Sequence, residues 1–94
     1  MDTTTAQPRF VLGQLVATPA ALATLRPLII ALALSRHREG DWGDVCREDW
    51  ESNDRALIFG QRLFSVYHSP DSTCFWIITA ADRSSTTILL PTDY

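Results

Sequence analysis

The change of residue pattern at Gly60 is the feature that most constrains the fold of this 94-residue chain. Beyond Gly60, three runs rich in β-branched and aromatic residues are separated by short turn-forming segments. Strands joined by such short connections pair antiparallel, because a parallel crossover needs about a dozen residues or more. The pattern therefore predicts an antiparallel meander with strands at residues 62–68, 73–79 and 85–90.

Before Gly60 the pattern is mainly helical. Thr18 followed by Pro19 is a typical helix start, so a helix is predicted over residues 20–25, and Pro27 interrupts it. A second helix over residues 28–36 is apolar almost all round, which predicts that it is the buried centre of the domain. The third predicted helix covers residues 45–59, capped by Asp44 and ended by Gly60, while residues 9–16 are a candidate fourth strand.

Helices followed by strands indicate an α+β fold, with two to three helices packed on one face of a three- or four-stranded antiparallel sheet. The length corresponds to one domain. We expect this domain to cover residues 9–94 and to follow a flexible N-terminal tail at residues 1–8.

The distribution of charge favours a protein partner. Net charge is −3, every basic residue is arginine, and residues 39–54 hold seven acids against one arginine, a formal charge of −6. Direct binding to duplex DNA is not expected, because it requires a basic footprint. A partner with a basic surface suits this segment. The candidate binding residues are Glu39, Asp41, Trp42, Asp44, Glu48, Asp49 and Glu51.

The sequence lacks the features of metal-binding, cofactor-dependent, membrane-spanning and secreted proteins. Cys46 and Cys74 are isolated, which predicts free thiols, no metal site and a reducing compartment. No cofactor motif is present, so no cofactor is expected. The apolar run at residues 28–34 is too short to span a bilayer, and residues 1–8 lack signal-peptide features. We expect a soluble cytoplasmic protein without a membrane partner, either monomer or homodimer.

The stretch at residues 35–44 holds chemically active side chains in a position where a linker would not need them. His37 has the side chain of a general acid or base, Arg36 can bind a phosphate, and Asp41 can orient the imidazole. Alternatively, the basic residues meet the last carbonyls of a helix, and Asp41 pairs with Arg36 or Arg38. The stretch is therefore either a site or a structural corner.

The positions of the tryptophans, Asn53 and His68 can also be predicted. Trp42 is either a packing anchor for the corner or an interface hot spot. Asn53 is unusual in a helix interior, and we expect it to bond to the loop at residues 36–44. Trp50 and Trp76 are expected in the core, and His68 at the surface.

The loop between the last two predicted strands is a second candidate site. Arg83 and the hydroxyls that begin at Ser84 can hold a phosphate or an acidic group. The alternative is a tight turn with an Asp82–Arg83 pair. If His37 converges with Arg83 and Ser84, these three residues become candidate catalytic groups of a small ribonuclease.

A set of motifs resembles a family of small plasmid-related proteins carried on plasmids, integrative elements and phages. The motifs are Arg36-His37-x-x-Gly40-Asp41-Trp42-Gly43, Asp49-x-x-x-Asn53, Trp76-Ile77-Ile78-Thr79 and Asp82-Arg83-Ser84-x-Thr86-Thr87-x-Leu89-Leu90-Pro91, with Tyr94 at the end. The resemblance covers residues 10–94. Relatives are expected to carry Glu at the position of Ala80, so a carboxylate used there would be missing from this chain.

The resemblance implies a gene habitat in which host defences are often disarmed. The leading hypothesis is therefore a non-enzymatic anti-defence protein that binds the nucleic-acid-binding surface of a CRISPR effector or restriction complex through its acidic face. The alternative is a ribonuclease or toxin-like enzyme that uses His37 and Arg83. The acidic balance and Ala80 favour the binder, and convergence of His37 with Arg83 would favour the enzyme.

Overall fold

The computed structural model describes residues 8–94, in which three helices pack against a four-stranded sheet, so the predicted α+β fold is confirmed. Apart from Pro8, the predicted tail at residues 1–8 lies outside the described residues. The elements in chain order are β1 (Gln14–Ala17), α1 (Pro19–Thr24), α2 (Pro27–Arg38), α3 (Arg47–Phe59), β2 (Leu63–His68), β3 (Cys74–Thr79) and β4 (Ser85–Leu89), followed by a short 3-10 helix, Pro91–Asp93.

The sheet has the strand order β1-β4-β3-β2. Strands β2, β3 and β4 form the predicted antiparallel meander. The fourth strand is shorter than the predicted residues 9–16, and β1 pairs parallel with β4, so the sheet is mixed rather than wholly antiparallel. The short-connection argument does not apply to this pair, because three helices and two strands separate β1 from β4 along the chain.

Most helix boundaries follow the expected capping signals. The Thr18 hydroxyl accepts the amide of Ala21, and Pro19 begins α1. Gly60 ends α3 in the left-handed conformation. The start of α3 was predicted wrongly: it begins at Arg47, after Cys46, because the carboxylate of Asp44 contacts His68 instead of capping the helix.

Alternating side chains of the sheet point toward the helices and form the core. One cluster joins α1 and α2 to the centre of the sheet, and it contains Ala21, Leu25, Ala33, Tyr67, Phe75, Ile77 and Ile88. A second cluster of Trp42, Ala56 and Leu63 joins α3 to the start of β2. The predicted burial of α2 on all sides is wrong, since Leu28 and Leu32 are 67% and 54% exposed. The sheet covers only one side of that helix.

The outer edge of β2 is covered by the chain itself. Asn53 on α3 donates to the Phe64 carbonyl at 2.7 Å and accepts the Phe64 amide at 3.0 Å. Next to it, the Val66 amide donates to the Trp42 carbonyl, and the Val66 carbonyl accepts the Asp44 amide. Since unpaired strand edges invite association, these contacts protect this side of the sheet. The expected bond from Asn53 to the loop at residues 36–44 is not the one formed.

Within residues 8–94, no helix combines the length and the apolar character needed to cross a membrane.

Candidate functional site

The stretch at residues 36–44 is a tightly bonded corner that begins in the last turn of α2, leads toward α3 and pairs with β2. Arg36 contacts Asp41 through two hydrogen bonds of 2.8 and 3.2 Å, and Asp41 also accepts the Gly43 amide. The hydrogen bond from Arg36 lowers the pKa of Asp41, and the same bond raises the pKa of Arg36. The Tyr67 hydroxyl donates to the Asp41 carbonyl at 2.6 Å. Asp41 therefore holds the corner closed, as the structural alternative predicted.

Trp42 is fully buried in this corner. Its indole stacks against Phe10 with ring centroids 6.2 Å apart, and its Nε1 donates to Asp54 at 3.0 Å. The interpretation of Trp42 as a packing anchor is confirmed. The assignment of Trp42 to a partner-binding surface is wrong, because no part of the side chain is accessible.

His37 is also fully buried, and both of its ring nitrogens are occupied. Nδ1 lies 2.6 Å from the Ser65 hydroxyl, and Nε2 lies 2.8 Å from the Thr79 hydroxyl. The Thr79 hydroxyl lies 2.8 Å from Thr86, which donates to the Leu12 carbonyl at 2.7 Å. These contacts join α2, β2, β3, β4 and the segment before β1 in one polar network.

The donor of each hydrogen bond in this network can be assigned by starting from the Leu12 carbonyl at its end. A carbonyl only accepts, so Thr86 donates to Leu12 and must accept from Thr79. Thr79 then accepts from His37, which places the ring proton on Nε2 and leaves Nδ1 to accept from Ser65. Every hydroxyl proton is used once. A neutral His37 therefore satisfies the network completely.

Burial, with a smaller contribution from the charge of Arg83, lowers the pKa of His37 to about 3. A general base works best with a pKa near the operating pH and must reach its substrate. His37 meets neither condition, because its ring is enclosed and its nitrogens are bonded to Ser65 and Thr79. The contacts indicate a structural role for His37 instead of the catalytic one in the ribonuclease alternative.

Arg83 donates its hydrogen bonds to backbone carbonyl groups of the chain. Its guanidinium donates to the carbonyl oxygens of Ala56 near the end of α3, of Gln61 just beyond it, and of Ala80 and Ala81 in its own turn. A cation there also suits the dipole of α3. With its donors used in this way, Arg83 is not poised to bind a phosphate.

Arg83 and His37 do approach the same place, since both contact the ring of Phe10. Ser84 is exposed, and its amide donates to Asp82 at 3.0 Å, so the tight turn forms without the predicted Asp82–Arg83 pair. The two candidate groups thus meet across an aromatic ring and not across an open cleft. This convergence does not assemble a catalytic site.

The seven acids of the segment at residues 39–54 separate into two groups. Four contact side chains of the domain: Glu39 with Ser35, Asp41 with Arg36, Asp44 with His68 and Asp54 with Trp42. Glu48, Asp49 and Glu51 are exposed at the start of α3 and have no side-chain hydrogen bond or ion pair within residues 8–94. We call these three residues the α3 acidic face.

A shallow cavity of about 180 Å³ adjoins the α3 acidic face. It is lined by Asp49, Ser52, Asn53, Arg62 and Phe64. Asp49 supplies a carboxylate to this cavity, and Arg62 supplies a guanidinium. Among the predicted binding residues without a side-chain bond in residues 8–94, Asp49 is the one that also lines this cavity.

Sequence reasoning missed the three hydroxyl residues that surround His37. Ser65, Thr79 and Thr86 are fully buried, and they occupy the inward positions of β2, β3 and β4. The alternation along each strand was a usable signal, because a polar residue at an inward position needs a buried partner. His37 was available as that partner.

No group of three or more histidine, cysteine or acidic side chains within residues 8–94 is arranged to hold a metal ion. Comparison with protein families, with curated proteins and with solved structures finds no significant match to this chain. The resemblance to plasmid-related proteins therefore stays a prediction.

Proposed function

We propose that this protein is a non-catalytic inhibitor that binds a basic, nucleic-acid-binding surface of a partner protein through the α3 acidic face. The observation that carries the proposal is that Glu48, Asp49 and Glu51 are exposed and make no side-chain bond within the described chain. The other four acids of the segment contact the domain's own side chains. The acids of the face are thus free to pair with cations.

Electrostatic complementarity supports this function. Carboxylates facing arginine or lysine side chains accelerate association and select against acidic partners. The resemblance to plasmid-related proteins extends the proposal to a CRISPR effector or restriction complex in the cytoplasm. Such complexes hold nucleic acid through basic channels, and an acidic protein can compete for those channels by carrying charge of the same sign as the phosphates.

The first experiment compares two variants of equal net charge. The first variant replaces the α3 acidic face, as Glu48→Gln, Asp49→Asn and Glu51→Gln. The control replaces three exposed acids in other parts of the molecule, as Asp71→Asn, Asp82→Asn and Asp93→Asn. Asn keeps an oxygen that can accept the turn hydrogen bonds these aspartates make. Each protein is immobilised and tested for capture of purified CRISPR effector and restriction complexes.

We expect the wild type and the control to capture a complex and the first variant to lose most of that capture. Raising the salt concentration should weaken capture by the wild type, because exposed charges are screened. Equal capture by both variants would contradict a role for the α3 acidic face. Failure of the wild type to bind any of these complexes would contradict the proposed class of partner.

The ribonuclease alternative has its own assay. Purified wild-type protein and a Ser84→Ala variant are incubated with RNA, because Ser84 is exposed and its replacement should leave the fold intact. We expect no cleavage by either protein. Cleavage by the wild type that is lost in Ser84→Ala would replace the binding proposal with an enzymatic one.

A further inference from the structure

The two edges of the sheet differ in how they are protected. The β2 edge is covered by Asn53 and by the corner at Trp42–Asp44. No hydrogen bond within residues 8–94 covers the outer side of β1. A strand edge with unpaired amides and carbonyls is a template for another strand.

The outward-facing backbone groups of β1 can be identified from its pairing. The amides of Gln14 and Thr18 donate to carbonyls of Ser84 and Ile88, on the β4 side, each at 3.0 Å. Because backbone groups alternate along a strand, the amides and carbonyls of Leu15 and Ala17 point the opposite way. Leu15 and Ala17 therefore supply the free donors and acceptors of this edge.

Several exposed side chains along this edge are apolar, and Gln14 is the polar residue of the strand. Val11, Leu15 and Val16 are 68%, 52% and 42% exposed, and residues 10–25 contain no charged side chain. Natural proteins usually discourage pairing at a free edge with charges, prolines or bulges. Residues 14–17 contain none of the charges or prolines that serve this purpose.

We propose that β1 pairs antiparallel with β1 of a second copy of this chain, which joins two four-stranded sheets into one. The two-fold axis passes beside Val16. Leu15 of one chain then lies opposite Ala17 of the other, and the two residues exchange their backbone N–H···O bonds. Val16 lies opposite Val16 of the second copy as a pair that is not hydrogen-bonded, with Cβ atoms roughly 4.5–5.5 Å apart.

Charge on the rest of the molecule fits this arrangement. The α3 acidic face lies beside β2, at the far end of the sheet from β1. Pairing through β1 therefore keeps the two acidic faces apart, whereas pairing through the β2 side would bring like charges together. The β1 edge is uncharged, mostly apolar and able to pair with itself. It therefore favours a second copy of this chain as its partner.

A mainly apolar depression beside the strand supports the antiparallel orientation. A cavity of about 350 Å³ at the start of β1 has one charged lining residue, Arg38, and its other lining residues are Pro8, Phe10, Val11, Leu12, Gly13 and Leu15. In an antiparallel pair, the start of one β1 faces the end of the other, where α1 begins. That helix carries Leu22, which is 62% exposed and can be covered at this depression.

The test measures molar mass by sedimentation equilibrium over a roughly 1–500 μM range, which spans micromolar to submillimolar dissociation constants. We expect the wild type to approach twice the chain mass of 10.5 kDa. Val16→Glu and Val16→Arg should each remain monomeric, because each places like charges directly opposite one another. An equimolar mixture of the two variants should recover the dimer, because the facing charges are then opposite.

Two further variants separate the loss of β1 pairing from the loss of the fold and from the general effect of an added charge. Leu15→Pro removes an outward amide and no bond to β4, so it should be monomeric while retaining the wild-type circular dichroism spectrum. Leu28→Glu places a charge on the exposed side of α2 and should remain dimeric. A monomeric wild type would overturn the proposal. So would a dimer that survives Val16→Glu, or one that is lost in Leu28→Glu.

Discussion

The buried His37 network makes the stability of this protein sensitive to mildly acidic pH. In the folded chain the pKa of His37 is lowered to about 3. An unfolded histidine has a pKa of about 6.5. The unfolded chain therefore takes up a proton at this residue when the pH falls below about 6.5, and the folded chain does not do so until about pH 3. The contribution of neutral His37 to the stability of the fold is therefore complete above the pKa of the unfolded histidine, about 6.5. It is lost as the pH falls toward the pKa of about 3 in the folded chain.

The size of this effect follows from proton linkage. Each pH unit below the unfolded pKa costs about 1.4 kcal/mol for one proton. Between about pH 7.5 and pH 5, the free energy of unfolding should fall by about 2 kcal/mol. Carboxylates contribute little in this interval, because their unfolded pKa values lie near about 4. Against a typical total of about 5–15 kcal/mol, such a loss is readily measured.

The assay is urea unfolding followed by tryptophan fluorescence at the two pH values. His68 is the second histidine, and it is exposed beside Asp44. A His68→Gln variant therefore leaves His37 as the only histidine, and the loss of about 2 kcal/mol should persist in it. If the unfolding free energy of His68→Gln is the same at both pH values, the account of His37 as a buried neutral residue is refuted.

Three other substitutions and a thiol titration test the structure described above. Thr79→Val should cost roughly 1–3 kcal/mol because it leaves the His37 Nε2–H without an acceptor, and Thr87→Val, on the outer face of β4, should cost less in the same urea assay. Gly43→Ala should lower the melting temperature more than Gly60→Ala. Both glycines have positive φ, but only at Gly43 would a Cβ collide with the Val66 carbonyl. Trp42→Ala should lower the unfolding free energy by roughly 3–5 kcal/mol, and an unchanged melting temperature would contradict its burial. Thiol titration of the unfolded protein should find both Cys46 and Cys74 reactive, and a lower count would contradict their free state.

The local features of the fold were predictable because they depend on neighbouring residues. Thr18 and Pro19 start α1 as expected, and Gly60 ends α3. The three strands of the meander lie within a residue or two of their predicted bounds, since β-branched and aromatic residues concentrate there. These signals act over a few positions, and tertiary packing did not override them.

Long-range features could not be read in the same way. The parallel pairing of β1 with β4 depends on residues far apart in the chain. The one-sided burial of α2 depends on how much sheet is available to cover it. Trp50 and Trp76, both expected in the core, are only half-buried. Trp76 lies on the sheet face opposite the helices, where it contacts Phe64 and Tyr94.

The prediction of the candidate site was the least accurate, because tertiary contacts decide whether a reactive side chain is accessible. Three residues of the quoted motifs that were predicted to be catalytic or to bind a partner have structural roles: His37 in the hydroxyl network, Trp42 against Phe10, and Arg83 on backbone carbonyls. Only part of the predicted acidic surface remains free. Of its three residues, only Asp49 belongs to a quoted motif, so the clustering of charge was the main signal that pointed to them.

The most direct test of the proposed function is displacement of nucleic acid from a partner complex. A fluorescently labelled nucleic acid is bound to the CRISPR effector or restriction complex that the protein captures, and the anisotropy of the label is followed as the protein is added. The account predicts that wild-type protein lowers the anisotropy and that the protein without the α3 acidic face leaves it unchanged. Unchanged anisotropy with wild-type protein bound to the complex, or equal displacement by both proteins, would contradict it.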